Sequence, residues 1–159
     1  MTRTRARKST APENATRKPD PTAATLLSGL GAVLGAVHCE RREQDAKFAE
    51  QNHPDGTADA DSIERAIRAR ETCEQAARLG TLTWADILQE EVAEALAEDD
   101  PAALRAELVQ VAAVAVAWIE AIDRRTVRRV EAALTHLRAH PDPRIAAFGE
   151  RMTAKWGTR

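Results

Sequence analysis

Leu104, Leu108, Val111, Ala115, Trp118 and Ile122 recur at intervals of three and four, and the same spacing carries on through Val130, Leu134 and Leu137. That period belongs to one face of an α-helix, not to a strand. Asp100 is a natural N-cap, and Pro101 fits the first turn, where its missing N–H leaves no hydrogen bond unmade. The pattern predicts a helix that runs unusually long from this point or bends near residues 124–126. The fold class expected for the whole chain follows: an all-α, antiparallel bundle of about four to six helices.

The remaining segments are punctuated in the same way. A first helix is expected from near residues 21–25 to Phe48, with Leu26, Leu30, Val33 and Val37 as its stripe and Gly29, Gly31 and Gly35 available for close approach to a neighbour. Residues 51–60, with Asn52-His53-Pro54-Asp55-Gly56, read as a loop. Asp61-Ser62-Ile63-Glu64 reads as a capping box that opens a second helix ending at Gly80. Thr83-Trp84-Ala85-Asp86 caps a third, in which Ile87, Leu88, Val92, Ala95 and Leu96 are expected to face the core. A last helix begins at Asp142-Pro143, with Ile145, Phe148, Met152 and Trp156 turned inward.

Of the 159 residues only 3% are aromatic and none is Tyr, so the packing must rest on small Ala-lined surfaces. Charge is unevenly spread. Residues 1–20 hold Arg3, Arg5, Arg7, Lys8, Arg17 and Lys18 against Glu13 and Asp20, a balance of +4 that leaves −6 for the rest of a chain whose net charge is −2. Residues 1–22 are therefore expected to be a disordered basic tail and residues 23–159 a single all-α domain. No aromatic interleaves the basic residues, which argues against nucleic acid as a partner. The apolar run at residues 23–37 is too short to span a membrane, and no small-residue cleavage site follows it. Cys39 and Cys73 match no zinc spacing and read as a reduced pair, so a cytoplasmic location is expected.

The chemistry-bearing residues are carboxylates. Glu94 shares a helix face with Glu91 and Glu90, where like charges repel. Across the turn at residues 99–101, Glu107 begins Glu-Leu-Val-Gln on the next helix. Glu90 and Gln110 each lie ten residues from Asp100, or roughly 15 Å along their helices, so the two segments face each other at matched depth. A solvated acidic face is one reading of such a run. The other is a site for a hard divalent cation that takes oxygen ligands. Glu107 favours the second, because Leu104, Leu108, Val109 and Val111 surround it and an unpaired carboxylate on a buried helix is costly.

The ordered pair Glu90-Glu91-x-x-Glu94 and Glu107-Leu-x-Gln110, preceded by residues 40–56, resembles the MazG-like branch of the all-α nucleoside triphosphate pyrophosphohydrolases over residues 37–125. The family pattern has Asp where this chain has Gln110. The resemblance implies Mg²⁺-dependent hydrolysis of a nucleoside triphosphate to the monophosphate and pyrophosphate, with Mn²⁺ as a possible substitute. It implies Glu91, Glu94 and Glu107 as metal ligands, and Glu90 with Glu91 as catalytic residues. Gln44, Lys47, Phe48, Trp84 and Gln110 are the expected substrate contacts: Lys47 as a point charge for phosphate, and Phe48 or Trp84 as a stacking surface for a base. The alternative is a non-catalytic helical module, serving as a nucleotide sensor or an interaction scaffold. The long apolar stripe further predicts a homodimer or homotetramer of antiparallel helices.

Overall fold

The computed structural model describes residues 29–156, which form five α-helices and no strand. These are α1 (Leu30–Phe48), α2 (Ala60–Leu79), α3 (Trp84–Ala97), α4 (Pro101–Arg138) and α5 (Pro143–Trp156). The basic N-terminal segment and the expected start of the first helix lie outside the described residues.

Local chemistry accounts for most boundaries. Thr83 and Asp86 form a reciprocal capping box at the start of α3. Asp100 accepts from the N–H groups of Ala102 and Ala103 ahead of Pro101. Gly80 closes α2 in the left-handed conformation, with φ of 70°. The N-terminus of α2 differs from the sequence expectation. Its cap is Asp59, whose carboxylate accepts from the Ser62 N–H at 2.6 Å, while Asp61 sits inside the first turn. Both positions offer an aspartate. The loop decides between them, because the Ala58 N–H donates to the Leu96 carbonyl at 2.9 Å and fixes where the chain enters the helix.

Consecutive helices pack in chain order, α2 on α3, α3 on α4 and α4 on α5, while α1 reaches across the sequence to lie on α4. α4 runs for 38 residues, its helical assignment uninterrupted through residues 124–126. The core between these helices is thin. Val33, Ser62, Cys73, Ala95, Leu104, Ala121 and Gly149 are buried, and among the described residues no large side chain is fully enclosed.

Several packing expectations are corrected. Val92 and Leu96 are 38% and 41% exposed, so α3 buries Ala95 and half-buries Ile87 and Leu88 but turns these two larger residues to the edge. Phe148 and Trp156 are also exposed, whereas Ile145 and Met152 are half-buried and the buried residue of α5 is Gly149. A Cβ on Gly149 would lie 2.7 Å from the Arg138 nitrogen and 2.8 Å from the Leu137 carbonyl carbon. Only glycine allows α5 to approach the end of α4 this closely. Gly31 and Gly35 have open space around them and mediate no such approach.

α4 contains an 18-residue window apolar enough, by length and composition, to cross a membrane, and only 11% of that window is buried. Composition drew attention to residues 23–37. The longer apolar stretch is on α4, with Leu108 and Val109 both more than half exposed.

Candidate metal centre

The turn at residues 98–100 reverses the chain so that α3 and α4 lie side by side, and it brings three carboxylates together. One oxygen each from Glu91, Glu94 and Glu107 lies within 4.8 Å of the others. Of the four glutamates that the hairpin spacing groups, these three come together and Glu90 does not join them. The burial argument from sequence needs correcting, since α4 is not a mostly buried helix and Glu107 is half-buried on the side that faces α3. The glutamates do not crowd a solvent face either. Glu90, Glu91 and Glu94 are all half-buried.

Two of the three carboxylates have partners. The Arg70 guanidinium of α2 donates through Nε to Glu94 Oε1 at 2.9 Å, and its Nη2 makes a second, shorter contact to the same oxygen. Gln110 Nε2 donates to Glu107 Oε2 at 2.7 Å, one turn along α4. Glu91 differs, because its Oε2 is buried and has no hydrogen-bond partner. Burial raises the Glu91 pKa above the ordinary carboxylate value, and the charges of Glu94, Glu90 and Glu107 push it further the same way. The centre holds an excess of negative charge and one oxygen with unused bonding capacity.

Glu90 turns towards α2 and away from this trio. It hydrogen-bonds the Cys73 thiol, and that contact, with burial, lifts the Cys73 pKa to about 11. Cys73 is consequently an inert, protonated side chain at neutral pH. Trp84 is half-buried at the first position of α3, about 10 Å along the helix axis from Glu91 at 1.5 Å per residue.

Gln44, Lys47 and Phe48 sit at the outer end of α1 and make their contacts within that helix. Gln44 accepts from Arg41 at 2.7 Å and donates to Glu40 at 2.9 Å, and the Lys47 ammonium lies 4.7 Å from the centre of the Phe48 ring. These residues line a polar groove of about 340 Å³ with Glu40, Glu43 and Gln51. No contact with the carboxylate centre joins the two regions among the described residues. The segment of α1 that lies on α4 is its opposite end, at Leu30 and Leu34.

Arg70 is the participant that sequence reasoning missed. Its signal was present, because Arg70 lies ten residues before Gly80 and Glu94 eleven after Thr83. The matched-depth argument used at the α3–α4 turn identifies this pair when applied to the α2–α3 turn.

No protein-family model, curated protein or solved structure matches this chain.

Proposed function

We propose that the chain is a divalent-cation-dependent nucleoside triphosphate pyrophosphohydrolase, with Glu91, Glu94 and Glu107 as the metal ligands. One observation carries the metal part of this reading: three carboxylate oxygens converge within 4.8 Å across a helical hairpin, and Glu91 Oε2 among them is buried without a partner. The donor set fits the cation, since Mg²⁺ and Mn²⁺ prefer oxygen ligands and the uncompensated charge of the trio needs an opposite charge. The substrate class rests on the ordered glutamate motifs and their resemblance to the pyrophosphohydrolases.

When bound, such a cation offsets phosphate charge and acidifies the attacking water. The chain's own residues supply the rest. Arg70 fixes the Glu94 carboxylate by a forked contact to one oxygen and leaves the other free to ligate. Gln110 orients Glu107 by donating to one of its oxygens, the task an aspartate at that position could not perform as an ionised group. Glu90, next to Glu91 in the chain although its carboxylate turns to Cys73, is the candidate to accept a proton from water.

The rival reading, a non-catalytic helical module, draws on a specific observation. Arg70 and Gln110 already satisfy two of the three carboxylates, and a protonated Glu91 would complete a stable cluster without metal. Thermal melting in millimolar Mg²⁺ or Mn²⁺, together with pyrophosphate release from the eight common ribo- and deoxyribonucleoside triphosphates, separates the two. The proposed function requires a metal-dependent rise in melting temperature that Glu94→Gln largely removes, because only the native site binds the ion. It also requires pyrophosphate release from at least one triphosphate. A metal-independent melting temperature with no release assigns the cluster to the non-catalytic module.

A further inference from the structure

The outer side of α4, opposite the face that packs on α3, leaves a groove of about 340 Å³ between its middle turns and the start of α1. Its apolar lining includes Leu30 and Leu34 from α1 with Val109, Ala112 and Val116 from α4, and Glu120 lies at its edge. Leu30, Leu34 and Val109 are each about half exposed. Arg105, Val109, Ala112, Val116 and Glu120 follow intervals of three and four, so they form one continuous stripe along this side. Neither Arg105 nor Glu120 makes an ion pair or side-chain hydrogen bond among the described residues.

We infer that this groove receives α4 of a second copy of the chain, antiparallel, about a two-fold axis that passes between Ala112 and Ala113. The argument is self-complementarity, which a two-fold contact requires because the same surface serves both sides. With the axis there, Val109 stands opposite Val116, and Arg105 of each copy stands opposite Glu120 of the other. Each pair straddles the axis by equal numbers of residues, so two valine pairs and two ion pairs form together. Asp123 meets Ala102, and no like charges face each other along the stripe. A parallel arrangement sets arginine against arginine and glutamate against glutamate, which is unfavourable. Leu30 and Leu34 flank the pair on either side, giving a four-helix contact of α1 and α4 from both copies.

The charges also argue against a lipid bilayer as the cover for this apolar helix. Arg105 and Glu120 lie within the stripe itself, where hydrocarbon would satisfy neither. The inference goes beyond the metal reading and does not rest on it, since Glu107 turns to the other side of α4.

Sedimentation of the full chain at micromolar concentration, without detergent, tests the contact. The expected result is a dimer that Arg105→Glu and Glu120→Arg each weaken by roughly tenfold or more, since each reversal sets two like-charge pairs in place of two ion pairs. Combining the two reversals restores dimerisation, because the pairs re-form with opposite polarity. Val109→Lys, at an exposed position, splits the dimer while leaving the helical circular dichroism of the monomer unchanged. A monomer at all concentrations overturns the proposal, as does a dimer indifferent to the single reversals or a double variant that fails to recover. A monomer that floats with vesicles of mixed neutral and anionic phospholipid assigns the face to a bilayer and overturns it equally.

Discussion

The two sides of α4 invert the usual distribution of polarity. Facing α3, the helix presents a half-buried Glu107 with Leu104 buried one turn before it. Facing outward, it presents Leu108 and Val109 at more than half exposure, above a groove lined almost wholly by Leu, Val and Ala. Residue type alone would turn these sides around. What reverses them is the supply of partners, because Arg70 and Gln110 make the inner carboxylates tolerable, while the outer valines meet only Leu30 and Leu34 of α1 along one edge.

The largest effect is expected where α4 is covered most tightly, at its end. Gly149→Ala inserts a methyl 2.7–2.8 Å from the backbone of Leu137 and Arg138, neither of which can move like a side chain. Overpacking of this kind typically costs about 1–3 kcal/mol, and urea unfolding should show at least that loss. A stability equal to wild type would mean that α5 sits more loosely on α4 than its glycine contact implies.

Gln110→Asp probes the inner side. The new carboxylate cannot donate to Glu107, so in chelator the variant should be less stable by about 0.5–1.5 kcal/mol, the net worth of one hydrogen bond where water can replace the partner. If the centre binds metal, millimolar Mg²⁺ should recover that loss and raise the melting temperature by more than it does in wild type. Recovery without metal, or none with it, would show that the amide has a role that a fourth carboxylate cannot take.

The smallest effect concerns Glu91 alone. Its folded-state pKa is raised, so the folded protein holds that proton more tightly than the unfolded chain. The stability this proton confers is full below the ordinary carboxylate value near 4.5 and is lost as pH rises through the higher folded value. Without metal, Glu91→Gln should therefore gain stability relative to wild type as pH increases through that window. A constant difference between the two proteins across the window would mean that Glu91 is solvated like its neighbours.

Much of this was legible in the chain. The capping chemistry of Thr83-Asp86 and Asp100-Pro101, and the stop at Gly80, are local interactions among residues a few positions apart, so residue identity suffices to place them. The Glu91, Glu94 and Glu107 trio was also within reach, because a tight turn between two helices sets which residues share a depth. Arg70 was reachable by the same rule across the α2–α3 turn.

What the sequence by itself determined, then, is whatever depends on short separations: the helices, their caps, and the residues paired across a turn. Tertiary structure decided the rest. Asp59 prevailed over Asp61 as a cap because Ala58 is tied to Leu96. Gly149, not Phe148, faces inward because α5 meets the backbone of α4. The outer stripe of α4 stays open because α1 lies on it only near Leu30 and Leu34, leaving Gln44, Lys47 and Phe48 to contact their own helix. Periodicity marks which residues share a face, but only the arrival of a neighbouring helix removes that face from water.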